Sequence, residues 1–200
     1  MLKVVIASGN RGKLKEFETI LQEKITPYFE LLGEFEIVED GDSFAKNALI
    51  KARDIYGKLG QDYIVISDDS GISIDALGGK PGIYSARFAG EGASDKDNLQ
   101  KAVDSLKELN LSSSKAHYSA AIAIVSKWGE YVVHGWMHGE AIVTPRGDGG
   151  FGYDPIFIPD GFSNTLGELD ASVKKEISHR YKALTLAKPI IDMLRRYSEY

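Results

Sequence analysis

The feature that most restricts how this chain folds is the segment Tyr63-Ile64-Val65-Ile66-Ser67-Asp68-Asp69-Ser70-Gly71. An apolar run, Tyr63 to Ile66, drops into two adjacent carboxylates, then a serine and a glycine. Such a run bounded by turn residues reads as a buried strand of an α/β sheet. The carboxyl end of such a strand is where open α/β sheets place their ligands. Two neighbouring acids repel unless a cation or a shared proton settles the charge. The same letters also suit a plain polar turn, because Asp, Ser and Gly all favour turns. The remaining sequence decides between the two.

At 200 residues, 43% of them apolar, the chain suits one large domain or two lobes around a cleft. It has no cysteine, which excludes disulfides and zinc–thiolate sites. The opening apolar segment is too short for a signal peptide, and no run approaches a membrane span, so a cytoplasmic enzyme is expected. A net charge of −5 argues against a sequence-independent nucleic-acid surface. It leaves room for a small anion held by a few local cations.

Leu2 to Ala7 reads as the first central strand. Ser8-Gly9-Asn10-Arg11-Gly12-Lys13 follows, and then Leu14, Phe17, Ile20 and Leu21 recur at helical spacing. Strand, glycine loop and helix together aim backbone N–H groups and a positive dipole at an anion. Arg11 and Lys13 oppose that dipole, which hints at a negative partner; the plainer alternative is a turn capped by Asn10 with solvated cations. Phe35 to Val38 reads as a second strand ending in the acidic turn Glu39-Asp40-Gly41-Asp42. Ser43 caps a helix carrying Phe44, Ala48, Leu49, Ala52, Ile55 and Leu59, with Asn47 and Lys51 sharing one of its faces, toward a cleft or toward solvent.

After the paired acids, Ile72 to Leu77 reads as a short alternating strand and Gly78 to Gly82 as an irregular loop. Ser94 and Asp97 form a capping box opening a helix to about Leu109. Ser112 to Ser114 reads as a linker at a lobe boundary. His117–Ser126 and Glu130–Val143 make an antiparallel pair, with Trp136 and His138 on one face. Gly147, Gly149, Gly150 and Gly152 interrupt regular structure around Phe151, Tyr153 and Asp154, and Ile156 to Ile158 adds a strand. Leu166 to Ile177 reads as a helix or turn, and Ser178 caps a last helix that again opens on cations, His179 and Arg180. Phosphates would go to Arg11, Lys13 and loop amides, and a divalent metal to Glu39 and Asp69, with Asp68 near. Hard oxygen ligands favour Mg²⁺ or Mn²⁺. A base would stack on Phe151 or Tyr153.

The order SGNRGK (8–13), SDDSG (67–71), LGGKPGIYSARF (77–88), GGFGYDPIF (149–157) and ISHR (177–180) resembles the inosine triphosphate pyrophosphatase family (Ham1/RdgB-like). These are house-cleaning pyrophosphatases for non-standard purine nucleoside triphosphates. The resemblance covers nearly the whole chain. It implies an α/β fold: one domain over residues 1–200, with an elongated mixed sheet flanked by helices and two lobes around a central nucleotide-binding cleft. It also implies a homodimer, and Mg²⁺-dependent hydrolysis of XTP, ITP or dITP to the monophosphate and pyrophosphate. In the matching positions, Ser8, Gly9, Asn10, Arg11, Gly12 and Lys13 would hold the triphosphate, and Ser70 would contact substrate. Asp69 would be the general base and a metal ligand with Glu39, supported by Asp68; Asp40 is the alternative to Glu39. Phe151 would stack on the base within a pocket of Gly152, Tyr153 and Asp154. Lys174 would contact the nucleotide, and His179-Arg180 would read the base edge. Two rivals are a Maf-type pyrophosphatase for other nucleotides, against which the FGYDP and ISHR motifs speak, and a non-catalytic nucleotide binder, against which the intact carboxylates speak.

Overall fold

A computed structural model of the chain describes residues 2–197, apart from the side chain of Arg11. Six strands form one sheet in the order β2-β1-β3-β4-β5-β6. They are β1 (Lys3–Ile6), β2 (Thr26–Pro27), β3 (Tyr63–Ile74), β4 (Ser113–Ser126), β5 (Gly129–Ile142) and β6 (Phe157–Pro159). The helices are α1 (Arg11–Leu21), α2 (Phe29–Leu32), α3 (Phe44–Leu59), α4 (Asp95–Glu108), α5 (Ala171–Ile177) and α6 (His179–Tyr197). β1 pairs in parallel with β2 and β3, while β6 pairs antiparallel with β5, so the sheet is mixed as expected.

The chain divides into two units. The first comprises the residues up to Asp69, Ala120–Gly135 and Arg180 onward. On one face of its strands, Val4, Ile6, Ile64 and Ile66 pack with Phe17 and Leu21 of α1 and with Ala183, Leu184, Ala187 and Ile191 of α6. On the other face, Val5, Ala7 and Val65 pack with Ala48, Ala52 and Ile55 of α3. From Tyr63 to Asp69, even-numbered residues of β3 therefore look toward α1 and α6, and odd-numbered ones toward α3, as strand alternation requires. The second unit comprises Ser70–Ser119 and Trp136–His179. Its core joins Ile72 and Ile74 to Leu99, Val103 and Leu106 of α4, with Met137, Ile156 and Phe157.

Three local expectations change. The residues Asp68 to Gly71 are not a turn at a strand end: β3 runs unbroken from Tyr63 to Ile74 and absorbs the separate strand expected at Ile72. Its parallel partner β1 stops at Ile6, opposite Ile66, so the acids lie just past the carboxyl end of the parallel pair. Gly71 is what lets the strand continue here. A Cβ on it would lie 2.6 Å from the Gly82 carbonyl and closer still to Ser85 Oγ, because the 82–85 turn presses against the strand.

Phe35 to Val38 alternates in burial but forms no ladder; the strand in that region is Thr26–Pro27, which ends at a proline, as edge strands allow. The alternation is real, because Phe35 packs edge-on against Tyr28 at 5.3 Å and its carbonyl accepts from the Tyr28 hydroxyl at 3.1 Å. Glu39 consequently sits in extended, unpaired chain and not at a strand end. Finally, Ser112 to Ser114 is no linker, since β4 begins at Ser113.

Candidate active site

The first unit gathers the loop after β1 with carboxylates from β3. Asn10 caps α1, its Oδ1 accepting from Gly12 N at 2.9 Å and Lys13 N at 3.1 Å. Two of the amides expected to face phosphate are thus satisfied internally. Ser8 Oγ accepts from Asn10 N at 3.2 Å, tightening the same loop. A pocket of about 260 Å³ is lined by Ser8, Gly9, Asn10, Lys13, Glu39, Lys51 and Asp68, with Tyr28, Phe35 and Ile37.

The paired acids part company because they alternate across β3. Asp68 points to the α1/α6 side and is fully buried. Lys13 Nζ lies 2.6 Å from its Oδ2, and Arg180 Nε lies 3.4 Å from its Oδ1. Arg180 is itself buried and donates to Glu16 Oε2 at 2.5 Å. Burial alone would raise the Asp68 pKa, but Arg180 and Lys13 outweigh it and hold the carboxyl well below its usual range. One cation from each basic helix start, Lys13 and Arg180, therefore finds a negative partner, and it is the same one. Asp68 is thus an ion-pair partner of Lys13 and Arg180, and Arg180 pairs with both Asp68 and Glu16.

Asp69 points to the α3 side. Lys51 of α3 places its ammonium 2.7 Å from Glu39 Oε2 and 3.5 Å from Asp69 Oδ1. The neighbouring Asn47 Oδ1 accepts from Gly41 N at 2.8 Å, which fixes the acidic segment bearing Glu39. Asp69 Oδ2 is buried and has no hydrogen-bond partner among the described residues. Burial raises the Asp69 pKa, Lys51 opposes that rise, and the negative charge of Glu39 reinforces it. Two hard oxygen donors held by one ammonium, with a third oxygen unsatisfied, suit a divalent cation. Among the described residues no set of three such ligands occurs, so the fit is through Glu39 and Asp69 alone. Asp40 is exposed, and the inward position belongs to Glu39. Ser70, half-buried, follows directly. The side chain of Arg11 lies outside the described residues.

The second unit gathers the aromatic–acid loop. Asp154 Oδ2 accepts from Lys174 Nζ at 2.6 Å and from Phe151 N at 3.2 Å, and its Oδ1 accepts from the Tyr118 hydroxyl at 3.5 Å. Burial raises the Asp154 pKa while Lys174 pulls it down. His179 stacks on Tyr118 with ring centroids 4.8 Å apart and planes 12° from parallel. Tyr153 is buried and donates its hydroxyl to the Ser85 carbonyl at 2.7 Å. Phe151 stays 58% exposed, a flat apolar ring open to a partner.

Tyr118 was invisible as a site residue in the sequence, and Lys51 was left open between cleft and solvent. Lys51 lies on a helical face that the letters alone leave undirected, and Tyr118 looks like any aromatic in a strand. Glu16 gives no local signal at all.

The chain is similar to known proteins over nearly its whole length. The model of the Ham1 family covers residues 4–190. A dITP/XTP pyrophosphatase of Sulfurovum sp. is 65% identical over 199 residues, spanning 97% of this chain and 95% of that protein. One from Sulfurimonas denitrificans is 56% identical, spanning 96% of this chain and all (100%) of that protein. Among solved structures, a Ham1 protein from Coxiella burnetii superposes with a TM-score of 0.88 at 36% identity, covering 96% of this chain and 100% of that one. The Ham1 protein of Staphylococcus aureus gives 0.86 at 35% identity, covering 95% and 98%.

Proposed function

Because the chain belongs to the Ham1 family, we propose that it hydrolyses non-standard purine nucleoside triphosphates, XTP, ITP and dITP, to the monophosphate and pyrophosphate. It thereby removes them before they enter DNA or RNA. The names of its relatives support the substrate class. The observation that carries the chemistry is the pairing of Glu39 and Asp69 on Lys51, with Asp69 Oδ2 buried and unbonded.

Mg²⁺, or Mn²⁺ in its place, would be held by Glu39 and Asp69 and would offset the charge of the phosphates. Lys13 and Lys51 supply further positive charge to the triphosphate, and Ser8, Asn10 and Ser70 donate hydrogen bonds to it. Asp69 orients a water and takes its proton as the O–Pα bond forms and the bond from Pα to the bridging oxygen breaks, so that pyrophosphate leaves. Asp68 takes no proton; ion-paired with Arg180 and Lys13, it keeps Lys13 anchored at the loop.

Phe151 stacks on the base, with Tyr153, Asp154, Lys174 and His179 around it. Hypoxanthine and xanthine present an oxygen acceptor at position 6, where adenine presents a donor. A Lys174 or imidazole N–H aimed there favours the oxo bases, because a buried donor left unpaired costs about 1–3 kcal/mol. We also propose that the enzyme is cytoplasmic and a homodimer, a state that sedimentation at twice the chain mass would establish.

The decisive assay follows phosphate release from XTP, ITP, dITP, ATP and GTP with Mg²⁺, with and without added inorganic pyrophosphatase. Phosphate release from the first three only when the helper enzyme is present is the expected result. Direct phosphate release without it would mean γ-phosphate cleavage and would sink the proposal.

A further inference from the structure

The loop that carries Phe151 is rich in glycine: Gly147, Gly150 and Gly152 all have positive φ, at +74°, +85° and +58°. Chain of this kind has many conformations to lose. A ring mounted on it stacks on a base with useful affinity only when the flanking backbone is already held, since ordering it on binding would weaken the interaction. The amides on either side of the Phe151 carbonyl are held, and each by a carboxylate. Phe151 N donates to Asp154 Oδ2 at 3.2 Å, and Gly152 N donates to Asp95 Oδ2 at 3.0 Å. Asp154 belongs to the same loop. Asp95 comes from 57 residues away, as the first residue of α4.

Asp95 is not needed to start its own helix. Ser94 caps α4 by accepting from Asp97 N at 3.2 Å, and Asp97 reaches back to Ser94 N at 3.0 Å. The capping box is complete without Asp95. Its carboxylate is thus available to the aromatic loop. The exit of that loop is pinned independently, by the Tyr153 hydroxyl on the Ser85 carbonyl. Asp95 and Ser85 belong to two separate segments of the second unit, and they grip consecutive residues of the loop.

We propose that Asp95 is a positioning residue for base binding: it holds the Gly152 amide so that the Phe151 ring is set before substrate arrives. The inference rests on the reading of Phe151 as the stacking residue. Asp95 acts through Gly152 and takes no part in proton transfer. Its loss should weaken substrate binding and leave the chemical step intact.

Steady-state kinetics with dITP test this, paired with amide hydrogen exchange over residues 147–153 of the substrate-free protein. Asp95→Ala should raise KM about 3- to 10-fold, the range set by one hydrogen bond, with kcat within twofold of wild type. Asp95→Asn keeps an acceptor for the Gly152 amide and should restore KM and the slow exchange. If the acid served only the helix dipole, the asparagine variant would behave like the alanine one, and the proposal would fail. In a Phe151→Ala background, Asp95→Ala should add nothing to KM; additive effects would also overturn it. Unchanged KM in Phe151→Ala alone would refute the stacking reading. Unchanged exchange in Asp95→Ala refutes the clamp itself, so the two failures are told apart.

Discussion

Asp68 and Asp69 are neighbours with opposite assignments, and the pleat of one strand makes the difference. Asp69→Asn should retain nucleotide binding and lose at least about 100-fold in kcat, measured by pyrophosphate release. Since its surroundings disfavour the charged carboxylate, the same change should raise the melting temperature of the metal-free protein at neutral pH. A lower melting temperature would contradict that balance. Lys51 stands between Glu39 and Asp69 as a resident cation. In Lys51→Met two carboxylates face each other uncompensated, so added Mg²⁺ should raise the melting temperature more in the variant than in wild type. Equal shifts would show that the ammonium does not hold the pair. The sequence already contained the rule that separates the two acids: Ile64, Ile66 and Asp68 share one parity, Val65, Ser67 and Asp69 the other. Ending the strand at Ile66 hid it.

At the scale of elements, helix starts and their caps were the most legible parts, because Asn10, Ser43 and Ser94 announce themselves chemically. Strand limits were harder. β3 continues through a sequence of turn formers because its neighbours hold it extended, a tertiary effect that no local window contains. Phe35 to Val38 shows the converse: alternating burial without a partner strand. The packing of the 82–85 turn on β3 makes Gly71 a sharp probe. Gly71→Ala should destabilise the protein by about 1–3 kcal/mol in urea unfolding, as overpacking does, because the added methyl meets a backbone carbonyl at 2.6 Å. A neutral outcome would mean that the turn yields freely. Each basic helix start supplies a cation to one internal carboxylate, Asp68, and that shared partner emerged only when the strand, α1 and α6 came together.

For the whole molecule, that shared anion fixes how stability should respond to acid. The Asp68 pKa is lowered on folding, so its contribution is fully present above the unfolded carboxyl value near pH 4 and is lost only as the pH falls toward its depressed folded value. The stability difference between wild type and Asp68→Asn should therefore grow from strongly acid solution up to about pH 4 and stay level above it. A difference that kept growing through pH 5 to 7 would assign the effect to another group.

The two units are also interleaved along the chain, and this governs how the protein can be made. The first unit takes its residues from the beginning, the middle and the end of the sequence. Ala183, Leu184, Ala187, Ile191 and Leu194, all from the last helix, complete the core that covers Val4 and Ile6, from the first strand. A ribosome that has delivered the phosphate loop, Glu39 and both aspartates has delivered a face with no cover. The opening strand must wait, with its apolar side chains exposed or in the care of a chaperone, until the final helix leaves the exit tunnel. A chain cut short by even those last turns would leave Glu39, Asp68 and Asp69 in place and the core beneath them open.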